Sequence, residues 1–506
     1  MSFDTIIVGA GSAGCVLASR LSEDSRKSIL LLEAGPRDTS PWIHVPLGYG
    51  KLFNRRDVNW SYESEPEPAL NGLRIFTPRG KVLGGTSSIN GLVWIRGQPQ
   101  DYDGWGIPGW GWADLKPYFE RVERQLKVSD LERHELCDAF IASAASLGIP
   151  RNDGGFNGAR QEGTGYYRAS AHNGRRRSTA VAYLREAEQR SNLKVEVNAS
   201  CTKIVVQNKK AIGVQYNGKT ASAHQVILCG GSFNSPQLLQ LSGVGPRALL
   251  ERHGIPLVHD APAVGADLQD HFYVRTFWRC KKPITLNDDL ASVWRKAGIG
   301  LNYLIRRRGP LTVAAGQAAV FTRTRPGLER PDAQIYFINF STDRRGGALH
   351  PFPGFTLSVS QLQVESRGSV AICSADPREA PAIRYNYLAT ERDRSVMVEG
   401  LKLIRRIATA SPLRDYVESE YQPGPSVQSD DDLLEYCRDT GVTVFHPTST
   451  CSMGTVVDEK LRVKGVESLR VVDASVMPAV PSGNINAAVI ALAEKAADGI
   501  RGHFDN

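Results

Sequence analysis

The chain has 506 residues, of which 41% are hydrophobic and 23% are charged, and its formal net charge at pH 7 is +8. This composition is typical of a folded protein with a large core and excludes a chain dominated by disorder. The first apolar strand pattern begins a few residues after Met1, and no run of about 18 apolar residues occurs. The sequence therefore predicts a cytoplasmic protein without a signal peptide or an integral membrane segment.

Cysteine spacing and the short basic runs indicate no metal and no nucleic acid. The eight cysteines are scattered without a CxxC pair, which favours reduced, buried thiols over a disulfide framework or a zinc site. The basic runs 175–177 and 306–308 lack interleaved aromatic residues and a recognisable nucleic-acid module, so we interpret them as solvated surface charge. A basic nucleic-acid-binding protein that carries a nucleotide fold remains an alternative.

The first 34 residues contain a dinucleotide-binding pattern. An apolar run at 6–8 precedes the glycine turn 9–14 (GAGSAG), and a second apolar run at 29–32 ends in Glu33. In this pattern the first glycine makes a tight turn, the second lets the backbone approach a pyrophosphate, and the third lets the helix pack closely on the strand. Glu33 lies 19 residues after Gly14, in position to accept a hydrogen bond from a ribose hydroxyl. The pattern leaves open a glycine turn without a ligand, and it does not distinguish a nicotinamide dinucleotide from a flavin.

The middle of the chain changes its pattern several times. Residues 36–76 are rich in proline and aromatic residues and predict an extended excursion that covers a ligand. Helical spacing occurs at 114–127, 136–147 and 391–409. Alternating residues over 193–229 predict a strand meander that ends in a buried strand. A second glycine turn follows at 230–231, and residues 331–388 predict a separate sheet.

The last 66 residues predict a return to the nucleotide fold. They contain a His-Pro loop at 445–447 and an apolar strand over 469–473 that ends in Asp473. A Pro-Ser-Gly loop then leads through Asn484 and Asn486 into an alanine-rich helix over 487–500. A helix N-terminus after such a loop suits contact with an electron-rich ligand group.

Two long motifs resemble the signatures of the glucose–methanol–choline family of flavin oxidoreductases. They are residues 80–97 (GKVLGGTSSINGLVWIRG) and 231–245 (GSFNSPQLLQLSGVG). Four further segments match blocks of the same family: 264–271, 366–368, 446–454 and 481–486. The resemblance covers essentially the whole chain, and segments 65–68 and 374–378 are most similar to the bacterial choline-dehydrogenase-like alcohol dehydrogenases.

The resemblance implies an α/β fold in which a Rossmann-like FAD-binding domain is interwoven with an α+β substrate domain built on an antiparallel sheet. We expect the FAD-binding domain to comprise residues 1–155, 190–285 and 441–506, and the substrate domain to comprise 156–189 and 286–440. The implied FAD-binding residues are Gly9, Gly11, Ser12, Ala13, Gly14, Glu33, Ala34, Val82, Gly85, Asn90, Gly91, Leu92, Val93, Cys201, Asp473, Ala474 and Asn486. Family members with a histidyl-flavin link carry the histidine directly before the loop asparagine, where this chain has Ile89, so we expect non-covalent FAD.

The resemblance also implies the oxidation of a primary alcohol to an aldehyde. His446 is the expected base that takes the hydroxyl proton while a hydride passes to flavin N5. The alternative is a purely structural role, in which His446 only holds the turn of its loop. Asn484 matches the second catalytic position, although it would also suit a helix cap. Phe445 and Gln363 are expected in the substrate pocket.

The sequence leaves open which alcohol is the substrate and which molecule is the electron acceptor. Choline is one candidate alcohol, and other primary alcohols, including aromatic or heteroaromatic ones, are together favoured over it. The acceptor is oxygen, as in an alcohol oxidase, or an electron-acceptor dye or quinone, as in a dehydrogenase. A non-redox enzyme on the same fold, of the lyase or photodecarboxylase type, is the alternative function. The sequence indicates no oligomeric state.

Overall fold

Two seven-stranded sheets organise residues 2–344 and 346–503, the part of the chain that the computed structural model describes. The first sheet is parallel at its centre and takes its strands from both ends of the chain. In spatial order its strands are Leu193–Glu196, Ile29–Leu32, Ser2–Val8, Lys219–Leu228, Lys210–Tyr216 and Cys201–Gln207, and Leu469–Val471 also pairs with Lys219–Leu228. Parallel strands are covered on both faces, which explains the continuous apolar runs in the sequence.

The register of the first sheet brings four turns to one edge. Val8 pairs with both Leu32 and Leu228, and Leu228 pairs with Val471. The segments that follow these four residues therefore leave the sheet side by side, at the carboxyl ends of parallel strands where ligands of open α/β sheets bind. This arrangement joins the first glycine turn, Glu33, the second glycine turn and Asp473.

The second sheet is antiparallel. Its strands in spatial order are Val417–Gln422, Phe272–Cys280, Gly354–Gln361, Ala333–Ile338, Ala318–Thr322 and Gly163–Tyr166, and Val442–Thr443 pairs with Phe272–Cys280. The long helix Glu391–Thr409 packs on Gly354–Gln361 and buries Val396, Leu403 and Ile407. The predicted fold class, a Rossmann-like sheet with a second antiparallel sheet, is confirmed.

The helices predicted at 114–127, 136–147, 391–409 and 487–500 are present, and the structure adds helices that the sequence patterns did not predict. The α-helices are Ser12–Leu21, Pro41–His44, Tyr49–Leu52, Pro99–Asp103, Trp112–Leu126, Glu135–Ser146, Arg185–Ala187, Gly231–Leu241, Arg247–Arg252, Leu286–Ala291, Val293–Arg306, Glu391–Thr409, Asp430–Thr440 and Asn486–Asp498. Short strands are Tyr62–Glu63, Phe76–Thr77, Val93–Trp94, Ser129–Asp130, Arg168–Ala169, Ala171–His172, Arg175–Arg176, Val244–Gly245, His259–Asp260, Ser369–Ala371 and Ala382–Arg384. Among the described residues, no helix combines the length and the apolar character needed to cross a bilayer.

The structure differs from the sequence predictions in the excursion 36–76 and in the sheet that contains strand Phe272–Cys280. The excursion 36–76 is not purely extended, because it contains the short helices Pro41–His44 and Tyr49–Leu52. Strand Phe272–Cys280 belongs to the second sheet, although the expected boundaries assign it to the FAD-binding domain. The domain boundaries themselves remain a prediction.

Candidate active site

A cavity of about 1300 Å³ is lined by residues of both sheets. Ligand pockets in proteins usually measure about 300–1,000 Å³, so this one has room for a large cofactor together with a substrate. Its wall includes Val8 and Leu228 from the first sheet and Tyr273 and Tyr336 from the second.

The cavity collects most of the residues that the sequence singled out. Those in its wall are Gly9, Gly11, Ser12, Ala13, Glu33, Ala34, Gly85, Asn90, Gly91, Leu92, Val93, Cys201, Phe445, His446, Asp473, Ala474, Asn484 and Asn486. Three predicted residues are not part of the wall. Gly14 packs the first helix on its strand, and Val82 lies in a small apolar cluster behind the wall.

Gln363 is the third, and its prediction as a pocket residue is not supported. Its amide donates to the Pro331 carbonyl at 3.0 Å and to Ser482 Oγ at 3.1 Å. The side chain is thus used to hold the Pro-Ser-Gly loop that precedes Asn484.

The three glycines of the first turn have different reasons to be glycine. Gly9 has a φ of +102°, and a Cβ there would lie 2.6 Å from the Cys229 carbonyl oxygen. A Cβ on Gly14 would overlap the Gly9 carbonyl oxygen. Gly11, in contrast, has an ordinary φ of −80°, and its Cβ would come no closer than 3.9 Å to another part of the chain. Because Gly11 has no side chain, space is left in the cavity for a ligand at the uncapped N-terminus of helix Ser12–Leu21.

Glu33 is fixed at the same end of the cavity. Its two carboxylate oxygens accept hydrogen bonds from the backbone N–H groups of Ala10 and Gly35, both at 2.9 Å. Burial raises its pKa to about 7. Each carboxylate oxygen can accept more than one hydrogen bond, so the group can also accept from a ribose hydroxyl. The backbone bond from Ala199 N to Glu33 O, at 2.8 Å, brings the segment that leads to Cys201 beside it.

Asp473 connects two of the turns. Its Oδ2 accepts from Gly231 N at 2.8 Å and from Ser235 Oγ at 2.6 Å, while Oδ1 accepts from Ser475 N and Oγ. The carboxylate thus holds the second glycine turn against the C-terminal strand, and the neighbouring Ala474 completes the wall. The final helix meets the first turn in a similar way, since Ser12 Oγ donates to Asn486 Oδ1 at 2.7 Å.

The loop 82–93 is held by Arg176, which corrects one expectation. The run 175–177 was interpreted as solvated surface charge, but Arg176 is only 1% exposed. Its guanidinium donates to the carbonyl oxygens of Ile43, Ser87 and Asn90 and to Asn90 Oδ1, and burial lowers its pKa to about 9. The buried guanidinium of Arg176 thus connects segment 36–76 to the loop 82–93 on the cavity wall.

His446 and Asn484 meet in the cavity wall. His446 Nε2 lies 3.2 Å from Asn484 Nδ2, and His446 Nδ1 lies 3.0 Å from Nδ1 of His271. His271 Nε2 lies 3.2 Å from the Leu362 carbonyl oxygen. Neither asparagine at this end caps the final helix with its side chain, so the helix-cap alternative for Asn484 does not apply.

The hydrogen-bond chain fixes the tautomers of both histidines. The Leu362 carbonyl can only accept, so His271 carries its proton on Nε2 and presents a lone pair at Nδ1. Burial lowers the pKa of His271 to about 4, so the ring stays neutral near pH 7. His446 must then donate from Nδ1, and its Nε2 is left as an acceptor facing Asn484. A neutral imidazole with Nε2 free of a proton is the form that a general base requires.

Asp270 anchors the backbone of the same loop. Its Oδ1 accepts from His446 N at 2.6 Å, and its Oδ2 accepts from the hydroxyls of Tyr387 and Thr443. Burial raises the pKa of Asp270 to about 6. Asp270 thus holds the backbone of His446, and its neighbour His271 holds the ring.

Asn484 is oriented from the second sheet. Gln334 Nε2 donates to Tyr167 Oη at 2.7 Å and lies 3.4 Å from Asn484 Oδ1, while Gln334 Oε1 accepts from Tyr336 Oη at 2.9 Å. This arrangement turns the Asn484 amide so that its NH₂ group faces His446. Sequence reasoning missed Gln334, Asp270 and His271. The last two lie inside a quoted motif that gave no sign of their partners.

Comparison with known proteins places this geometry in a family. The chain matches the two models described as GMC oxidoreductase, over residues 3–273 and 364–493. It is 40% identical to an oxygen-dependent choline dehydrogenase of Photobacterium profundum, with 99% of this chain and 93% of the relative covered. It is also 40% identical to an alcohol dehydrogenase [acceptor] of Pseudomonas putida, with 98% and 95% covered. The crystal structure of pyridoxine 4-oxidase from Mesorbium loti superposes with a TM-score of 0.88 at 28% identity and covers 99% of both chains.

One cavity is lined both by the glycine turn at the carboxyl ends of the parallel strands and by His446, an arrangement typical of dinucleotide-dependent redox enzymes. The chain belongs to the GMC oxidoreductase family. It is an FAD-dependent oxidoreductase that acts on CH–OH groups, so the predictions of family, cofactor and enzyme class are confirmed.

The contrast among the three glycines gives a testable prediction. We expect Gly11→Ala to weaken FAD binding by about 10- to 100-fold, since a methyl group forced into a filled site costs about 1–3 kcal/mol. The melting temperature of the apoprotein should stay unchanged because the chain itself has room for the methyl. Titration of apoprotein with FAD, followed by flavin fluorescence, measures the effect.

The matched control is Gly298→Ala, where a Cβ meets nothing within 4 Å and the residue lies outside the cavity wall. That variant should bind FAD as the wild type does. Wild-type affinity in Gly11→Ala would show that the bare backbone at Gly11 is not a cofactor contact.

Proposed function

We propose that this enzyme oxidises an uncharged primary alcohol to the aldehyde, with His446 as the base. The observation that carries the proposal is the hydrogen-bond chain from the Leu362 carbonyl through His271, which leaves His446 Nε2 as an acceptor in the cavity wall. The substrate hydroxyl would donate to Nε2, and its proton would move there as the carbon loses a hydride.

Asn484 completes the proton-transfer site. Its NH₂ group lies beside His446 Nε2, so it can donate to the same alcohol oxygen as negative charge develops there. Its orientation depends on Gln334, which keeps the amide oxygen away from the histidine. The two side chains would thus hold one oxygen atom between a base and a donor.

FAD, when bound, supplies the two-electron acceptor for the hydride. The residues that would hold it are those of the glycine turn, Glu33 and the 82–93 loop. Ile89 is buried in an apolar cluster and offers no nucleophile, which supports non-covalent binding.

The charges in the wall favour an uncharged substrate over choline. The acidic residues of the wall are Glu33, Glu63, Glu65, Glu379 and Asp473. Glu33 and Asp473 belong to the two glycine turns, and Glu63 and Glu65 follow Tyr62, which bonds to Asn234 of helix Gly231–Leu241. Glu379 is next to the same helix, because its carbonyl accepts from Gln237. The contacts that place these carboxylates belong to the two glycine turns and to helix Gly231–Leu241, whereas His446 is placed by Asp270 and His271. We therefore infer that the acidic residues of the wall serve the cofactor end and not a cation bound at the base.

Cationic and aromatic side chains occupy the other part of the wall. Arg275 lies two residues after Tyr273, and its guanidinium donates to the carbonyl oxygens of Thr342 and Asp343. The ring of Phe445 lies 5.8 Å from that of Phe53, and the ring of Tyr273 lies 5.5 Å from that of Tyr336. A flat or apolar alcohol suits these rings, and a relative of similar structure is named pyridoxine 4-oxidase.

The test compares choline with its neutral isostere, 3,3-dimethylbutan-1-ol, and with an aromatic primary alcohol. Under anaerobic conditions we expect the neutral alcohols to abolish the visible absorbance of the oxidised flavin, with kcat/KM at least about 10-fold above choline, which corresponds to about 1.4 kcal/mol. Faster reduction by choline would overturn the substrate assignment. An enzyme that no alcohol reduces would overturn the proposed function and favour a non-redox reaction.

Acceptor and location complete the proposal. We favour a dehydrogenase that passes electrons to a quinone or dye over an oxidase, in line with the relative named alcohol dehydrogenase [acceptor]. The relative named oxygen-dependent choline dehydrogenase supports oxygen as the alternative acceptor. Reoxidation of the alcohol-reduced enzyme by oxygen or by a dye separates the two. A cytoplasmic location stays a prediction.

A further inference from the structure

The helix Val293–Arg306 carries an apolar face that no other element of the described structure covers. Trp294, Leu301 and Ile305 are 87%, 58% and 70% exposed, and their spacing of seven and four residues places them on one side of the helix. Val293 and Leu304 extend this face at 77% and 68% exposure. Exposed apolar side chains that cluster in this way mark interaction surfaces.

The opposite side of the helix is packed on the enzyme. Tyr303 is buried, and its hydroxyl donates to the Gly174 carbonyl at 3.0 Å. Lys296, Ile299 and Gly300 form part of the cavity wall. The helix is thus fixed by one side, and its apolar face points away from the molecule beside the active-site cavity.

Basic residues accompany the apolar face. Arg306 and Arg308, at the end of the helix, form no ion pair within residues 2–344 and 346–503, whereas the guanidinium of Arg307 lies over the ring of Tyr303 on the packed side. Arg295 has a partner, Asp289 at 3.6 Å, and Glu132 nearby accepts from Gly309 N. The local charge is therefore positive, as is the net charge of the chain.

We propose that helix Val293–Arg306 docks the enzyme on an anionic membrane surface, with Trp294, Leu301 and Ile305 in the interface and Arg306 and Arg308 on lipid headgroups. An amphipathic helix with tryptophan and leucine on one side and basic residues beside them binds anionic bilayers in this way. A second copy of the chain fits less well, because both copies carry the same positive net charge and a positively charged contact surface, so they would repel each other. Docking would place the cavity next to the bilayer.

Vesicle flotation of the FAD-loaded enzyme tests the proposal. We expect it to float with phosphatidylcholine vesicles that contain phosphatidylglycerol and not with pure phosphatidylcholine vesicles. Salt should release it, since the Debye length falls to about 3 Å at 1 M. The variant Arg306→Gln/Arg308→Gln should bind about 30-fold more weakly, from about 1 kcal/mol per basic residue.

Two more variants decide whether the apolar face is responsible. Trp294→Ser/Leu301→Ser/Ile305→Ser should abolish flotation, whereas Leu147→Ser, an exposed leucine elsewhere at 42%, should leave it intact. All variants should keep wild-type FAD content and turnover with a soluble dye, which shows that they fold. Absence of flotation, or flotation that neither helix variant reduces, would overturn the proposal. A dimer in solution that only the triple variant dissociates would also overturn it and assign the face to a second copy.

Discussion

His446→Ala lowers the turnover number by about 10²- to 10⁴-fold, the usual contribution of a positioned general base. The reason is that Nε2 of His446 is the acceptor left by the hydrogen-bond chain, and alanine leaves the alcohol proton without a base. FAD content should not change, because the turns that line the other end of the cavity do not use this side chain. Anaerobic stopped-flow reduction by a saturating alcohol measures the rate.

A matched histidine controls for nonspecific effects. His224 is exposed on strand Lys219–Leu228, and His224→Ala should keep wild-type turnover. Near-normal reduction rates in His446→Ala would remove the residue from the base role. Loss of FAD in that variant would instead show that His446 supports the cofactor.

The residues proposed to hold the cofactor could be placed together from the sequence more directly than the residues proposed for catalysis. Gly9, Gly11, Gly14 and Glu33 lie within one strand–turn–helix–strand unit, whose spacing alone places the turn beside the acid. The structure shows that the three glycines have different roles. Gly9 and Gly14 are required because a Cβ there would clash with the chain's own backbone, whereas a Cβ on Gly11 would not.

The catalytic end depends on contacts between distant parts of the chain. His271 and His446 are 175 residues apart, and Arg176 reaches Asn90 across 86 residues. The spacing of residues along the sequence carries no information about such distant pairs. The run 175–177 therefore looks like surface charge, and the partner of His271 in the motif 264–271 cannot be recognised. Gln363, which the sequence predicts in the substrate pocket, is outside the cavity wall for a related reason. Leu362, its neighbour, carries the carbonyl that His271 contacts, while the Gln363 side chain is taken by Ser482.

Replacing His271 is expected to lower kcat strongly, because His271 positions His446 and does not contact the substrate. In His271→Leu the buried Nδ1–H of His446 loses its acceptor, so the ring gains by moving its proton to Nε2, where it can no longer accept from the alcohol. We expect kcat to fall about 100-fold or more, as when a catalytic histidine is left in the wrong tautomer. KM should change little, since no substrate contact is removed.

His271→Asn separates this effect from a loss of packing. Asparagine places an oxygen near the position of Nδ1, so it can accept from His446 and should keep kcat within about 10-fold of the wild type. The pH profile gives a second readout. Because burial holds the pKa of His271 near 4, replacing His271 removes no titrating group near neutral pH, so a changed pH dependence of kcat/KM reports an altered partner of His446. The pH dependence of kcat/KM should stay unchanged in the asparagine variant and shift in the leucine variant. Equal losses of kcat in both variants with unshifted profiles would make His271 a packing residue and leave the tautomer of His446 to other groups.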